Sequence, residues 1–78
     1  MDPRIERIFQ DVLEDRNVVV TDDSTPADTP GWDSFAQVKL TLAMEEEFGI
    51  TFTLDEVAEL ACAGDFVKAL RNRGIDIS

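Results

Sequence analysis

The sequence predicts an all-α fold: a small four-helix bundle, three helices longer and one short, with a long loop between helices 1 and 2. Three observations carry this. Apolar residues recur at helical spacing in three segments, around 5–13, 35–48 and 66–70. Cap signals punctuate them, including a Thr53–Glu56 capping box and glycines at 49 and 74. The only strand-like run, Val18-Val19-Val20, has no convincing second strand to pair with. A chain of 78 residues makes one domain, 1–78. With 44% apolar residues it has enough to form a core without metal or disulfide help.

Helix 1 opens at Asp2-Pro3, since Asp caps and Pro suits the first helical position. Ile5, Ile8, Phe9, Val12 and Leu13 form one stripe, and the helix should end near Asp15 to Asn17. Val18-Val19-Val20 then serves as a loop anchor on the core. Residues 21–33 are rich in Asp, Ser and Thr, with Pro26, Pro30 and Gly31, and read as loop. A connection this long in so small a domain is usually functional or disordered. Its acidic start lacks the alternating ligands and the sixth-position glycine of an EF-hand.

Helix 2 should cover 34–48. Leu40, Ala43, Met44 and Phe48 form a face suited to the core. Phe35, Val38 and Leu42 form a second stripe, and both faces cannot be fully buried. The second stripe either packs under the loop or is an exposed patch for a partner. Glu45 and Glu46 extend it with charge, which suits a basic partner surface. Gly49 ends the helix, Thr53 caps a short helix running to about Leu60, and Val57 and Leu60 turn inward. Asp65 should start the last helix, which buries Phe66, Val67 and Leu70 and places Arg71 and Arg73 near its C-terminal end. Gly74 closes it, and Ile75 and Ile77 fold back on the core.

The absence of histidine excludes His-containing metal sites and Ser-His-Asp or Cys-His catalysis. A net charge of −10 argues against nucleic acid as a partner. A single cysteine, Cys62, excludes an internal disulfide and fits a reducing cytoplasm. No apolar run approaches a membrane span, and no basic-then-apolar leader starts the chain.

The run Gly31-Trp32-Asp33-Ser34-Phe35 sits where loop becomes helix 2. The first N–H groups of a helix lack internal partners and carry partial positive charge, so a phosphate bonded to Ser34 would lie among donors. Ser34 therefore reads as a site for covalent attachment of a phosphate-linked group. Asp-Ser before a helix is, taken alone, more often a plain cap. Trp32 is expected to pack the loop on the bundle.

The order of these elements resembles the acyl carrier proteins over nearly the whole chain. The resemblance rests on Gly31-x-Asp33-Ser34-Phe35, Glu45-Glu46-Glu47-Phe48-Gly49-Ile50, the Thr53 cap and Gly64-Asp65-Phe66. It implies a carrier without catalytic activity of its own. Ser34 would receive 4'-phosphopantetheine from coenzyme A through a phosphopantetheinyl transferase, with Asp33 as helix cap and transferase contact. Acyl or aminoacyl groups would ride on the arm's thiol as thioesters. The implied partners are the transferase, a loading enzyme, and the synthase, transferase and thioesterase enzymes of a pathway. They would dock on Phe35, Val38, Lys39, Leu42, Glu45 and Glu46 of a monomeric, cytoplasmic protein.

The departures are specific. Phe35 replaces the family's usual leucine after the serine. Fatty acid synthesis carriers are commonly acidic two and five residues after it, where this chain has Ala36 and Lys39. Lys39 puts positive charge on the partner stripe. This favours a dedicated carrier in a specialised pathway, polyketide or hybrid peptide, over general fatty acid synthesis. Cys62 stands where the family often has a Thr cap, and is expected as a small buried filler. Met44 and Phe48 are candidates to line any internal space for cargo. A non-carrier acidic module that binds a basic surface through helix 2 is the alternative reading. The length suits a stand-alone protein, with an excised domain of a synthase as the other case.

Overall fold

The computed structural model describes residues 1–77 and has four helices: α1 (Pro3–Leu13), α2 (Ser34–Phe48), α3 (Leu54–Ala58) and α4 (Ala63–Asn72). Among the described residues there is no strand. The expected all-α arrangement, with its long connection between α1 and α2, is therefore observed.

Helix α1 starts as its sequence dictates. The Asp2 carboxylate accepts the Arg4 N–H at 2.9 Å, with Pro3 at the first position. Ile5, Ile8 and Phe9 are buried, and Val12 and Leu13 half-buried. The helix stops at Leu13, short of the expected Asp15 to Asn17. Glu14 takes a left-handed conformation at φ 53°, and the Asp15 N–H donates back to the Gln10 carbonyl at 3.0 Å. This stop closes the end in the way a glycine usually does. A glutamate there gives no warning in the sequence.

The loop is tied down at both ends. Val20 is buried and Val18 half-buried, while Val19 points to solvent, so two of the three valines form the anchor. The Val20 N–H donates to Glu6 Oε2 of α1 at 3.3 Å. At the far end Thr29 and Trp32 are buried. In between, the loop meets the start of α4. The N–H groups of Ala63 and Gly64 donate to the carbonyls of Ser24 and Asp22, each at 2.9 Å. These donors are orphans of the first helical turn, and loop backbone satisfies them.

Helix α4 begins at Ala63 rather than at Asp65. Asp65 is the third helical residue, and its carboxylate reaches back to the N–H groups of Ala61 at 2.8 Å and Cys62 at 3.1 Å. Cys62 holds the cap position half-buried, so it is not a buried filler. The Ala61 N–H, followed by that of Cys62, holds the Asp65 carboxyl below its ordinary value. Glu56 is lowered as well, first by the Thr53 N–H of its capping box and then by Arg73, with which it forms an ion pair. Carboxyls lowered by folding contribute stability above their unfolded range and lose it as pH falls through the folded values.

The core is a row of aromatic rings. Trp32 meets Phe9 edge to face at 5.0 Å, Phe9 meets Phe66 at 6.1 Å, and Phe66 meets Phe52 at 6.2 Å. The row joins the loop, α1, α4 and the segment between α2 and α3. Leu40, Met44 and Leu70 are fully buried alongside it. The C-terminal segment folds back as expected, with Ile77 buried and Ile75 half-buried. Arg4 fastens it by donating to the Asp76 carbonyl at 2.7 Å while pairing with Asp2.

Of the four glycines, Gly64 is the one where the loop backbone leaves no room for a side chain. A Cβ there would lie 2.8 Å from the Asp22 carbonyl oxygen. Gly64→Ala should push the loop off α4 and destabilise the fold by roughly 1–3 kcal/mol. Thermal unfolding followed by circular dichroism checks this, and an unchanged midpoint would contradict the contact.

Candidate functional site

The site grows out of the first turn of α2. Asp33 has extended backbone and caps the helix, its Oδ1 accepting the Ala36 N–H at 2.9 Å. Its own carbonyl accepts the Gln37 N–H at 2.9 Å. Ser34 is the first helical residue and is exposed. Its hydroxyl makes no hydrogen bond to any described residue. The N–H groups of Ser34 and Phe35 likewise have no acceptor among the described residues. An open hydroxyl therefore stands beside two unused backbone donors at the positive end of a helix.

The residue that fixes this geometry is Trp32, only 3% exposed. Its indole N–H donates to Gln37 Oε1 at 2.7 Å, and Gln37 Nε2 donates to the Leu60 carbonyl at 3.2 Å. The chain Trp32–Gln37–Leu60 ties the loop before Ser34 to α2 and to the link between α3 and α4. Packing is thus the role of Trp32, as the sequence suggested. Gln37 carried no periodic or motif signal, and sequence reasoning passed over it. Gly31, at φ 84°, turns the chain just before the tryptophan in a region that favours glycine.

The second stripe of α2 is open. Phe35, Val38 and Leu42 are 75%, 58% and 59% exposed, which sets aside the idea that the loop covers them. Lys39 lies with its ammonium 5.4 Å over the Phe35 ring, so charge and apolar surface form one feature. Glu46 is exposed. Glu45 differs from its expected place on the acidic edge. It is half-buried, and its carboxylate accepts the Phe52 N–H at 2.8 Å, holding the segment after α2. Leu54, 90% exposed at the start of α3, is an apolar residue that the sequence reading did not mark. Of the two residues considered for an internal space, Met44 is wholly buried in the core. Phe48 is half-buried under the Arg4 guanidinium at 5.0 Å.

The family model described as phosphopantetheine attachment site matches residues 3–70. The chain belongs to the acyl carrier proteins. The acyl carrier proteins of Rickettsia massiliae and Rickettsia felis are each 29% identical to it over 69 residues, 88% of this chain and 79% of theirs. A solution structure of holo acyl carrier protein from Geobacter metallireducens matches with a TM-score of 0.74 at 28% identity, covering 91% of this chain and 90% of that one. An acyl carrier protein holds acyl groups on covalently attached 4'-phosphopantetheine and has no catalytic activity of its own. The alternative of a non-carrier interaction module falls with this membership. Phosphopantetheinyl transferase and pathway enzymes in general are partners of such carriers.

The turn around Ser34 suits a phosphodiester. Its hydroxyl is accessible, two N–H donors are unused, and Asp33 directs its own Oδ1 to the third. Among the described residues no group of Asp, Glu or Cys is arranged to hold a metal, and no helix is long and apolar enough to cross a membrane.

Trp32→Phe keeps an aromatic ring against Phe9, deletes the bond to Gln37 and removes part of the buried indole. Its expected cost is about 1–2 kcal/mol, because Gln37 is left with an unpaired acceptor. Amide exchange at Ala36 and Gln37, whose N–H groups bond Asp33, should quicken. Exchange as slow as in the native chain would show that the indole bond does not fix the turn.

Proposed function

We propose that Ser34 Oγ is the atom that carries the arm, with Asp33 as cap of its helix and contact for the transferase. The supporting observation is the open hydroxyl at the mouth of α2, next to two unpaired N–H groups and inside the family match. On this reading Oγ forms a new bond to the phosphorus of coenzyme A nearest the pantetheine, and the pyrophosphate linkage breaks. The hydroxyl proton leaves, and adenosine bisphosphate departs as the other product. Ser34 then holds a phosphodiester whose oxygens face the α2 donors. The arm's terminal thiol carries cargo as a thioester, and tethering raises its concentration at each docked enzyme.

The docking surface is Phe35, Val38, Lys39, Leu42 and Glu46, with Glu45 supporting it from beneath through Phe52. Exposure of the apolar stripe and the lysine poised on Phe35 favour it. The pathway is a specialised one, polyketide or hybrid peptide, whose loading and processing enzymes accept a cation here. Ala36 and Lys39 stand where carriers of fatty acid synthesis are commonly acidic, and Ala36 is buried, so Lys39 is the difference a partner meets. The single cysteine fits work in the cytoplasm.

Incubation with coenzyme A and a permissive transferase should add one phosphopantetheine to the native chain and none to Ser34→Ala, read by intact mass. A full mass gain in Ser34→Ala would refute the assignment. Lys39→Glu should improve use of the loaded carrier by fatty acid synthase enzymes by roughly tenfold, about 1.4 kcal/mol. Equal or poorer use would remove the argument for a specialised pathway.

A further inference from the structure

An open hollow of about 430 Å³ lies beside Ser34, lined by Pro26, Asp33, Ser34, Gln37 and Leu60. Gln37 crosses the seam in its wall. One end of its amide takes the Trp32 N–H at 2.7 Å, and the other gives to the Leu60 carbonyl at 3.2 Å. Both partners are buried residues, so the amide is held between two fixed points. Three and seven residues further along α2 stand Leu40 and Met44, both wholly buried, whose side of the helix an apolar chain would have to reach.

An acyl chain passing inward from Ser34 at this point must displace the Gln37 amide. That breaks both bonds and leaves the indole N–H and the carbonyl of two buried residues without their partners, which folded proteins avoid. A chain left in the hollow breaks neither. We propose that Gln37 is a latch that closes the bundle core to cargo, so that the acyl group of this carrier stays outside the helices. The cargo class follows: a short or polar acyl or aminoacyl group, which has little apolar surface to hide from water. Gln37 is thereby a specificity-determining residue through what it excludes. The inference rests on Ser34 as the attachment point.

The test loads native chain and Gln37→Ala with acetyl- or octanoyl-phosphopantetheine from the corresponding coenzyme A thioesters. Intact mass and peptide mapping confirm the load at Ser34, and thermal unfolding compares the two chain lengths. Cargo bound only by the folded core raises the melting temperature, as any native-state ligand does. For the native chain, the octanoyl and acetyl forms should melt within about 1 °C of each other. In Gln37→Ala the octanoyl form should melt several degrees above the acetyl form. Octanoyl stabilisation of the native chain would overturn the latch while leaving the attachment at Ser34 intact. Chain-length independence in both proteins would overturn it too, because closure would not then depend on Gln37. Should Gln37→Ala not fold, Gln37→Glu replaces it, keeping the acceptor for Trp32 and losing the donor to Leu60. Absence of any load at Ser34 would overturn the attachment reading, and this inference with it.

Discussion

Burial of Trp32 is the interaction on which the site depends. The connection from α1 to α2 leaves the Ser34 hydroxyl open to solvent at the first position of α2. Hydrogen bonds within an exposed loop contribute only about 0.5–1.5 kcal/mol each. An aromatic side chain burying 150–250 Å² contributes roughly 4–6 kcal/mol at 25 cal/mol/Å², as an upper bound. The indole therefore outweighs any single loop bond. It sits two residues before Ser34, and consecutive Cα atoms are only about 3.8 Å apart. With the ring wedged on Phe9 and its N–H held by Gln37, the exposed serine has little freedom to wander.

The rest of the loop is fixed by a different currency, backbone to backbone. The carbonyls of Asp22 and Ser24 take the first donors of α4, and in return the helix start holds the loop's middle. Gly64 permits this approach, and Asp65 closes the same turn from the other side through Ala61 and Cys62. Each partner thereby satisfies polar groups that the other would leave bare. The Gln37 bridge to Leu60 draws the link between α3 and α4 into the same assembly. The turn at Ser34 is consequently braced by α1, α2 and α4, although only α2 carries it.

Much of this was legible in the sequence, and the limits have physical causes. Helix identities were clear because apolar spacing and cap chemistry agree, as at Asp2-Pro3, Thr53 with Glu56, and Gly49. The end of α1 was missed because Glu14, not glycine, adopts the left-handed turn. The start of α4 was misplaced because Asp65 reads as a cap, whereas it works from the third position on donors behind it. The Asp33-Ser34 turn could be located from local rules alone. Gln37 could not, because its importance lies in two partners at sequence distances of 5 and 23, one of them a backbone carbonyl. Glu45 was assigned to the surface for the same reason: the Phe52 N–H that claims it lies seven residues on.

The remaining step concerns how a protein of net charge −10 chooses among partners. Uniform negative charge attracts any basic surface and so discriminates poorly. Lys39, the only cation of α2, breaks that uniformity on the most exposed part of the helix. Its ammonium lies over the Phe35 ring, an arrangement contributing about 0.5–1 kcal/mol at exposed sites. Phe35 cannot be buried by a partner without dehydrating the charge beside it. A docking enzyme with an acidic or aromatic group at that point compensates the loss, while one shaped for an acidic carrier presents a cation and repels. Selectivity by repulsion costs the correct complex little and the wrong one a great deal. On the proposed docking face, one lysine on an apolar stripe would thus narrow a carrier that total charge alone would leave promiscuous.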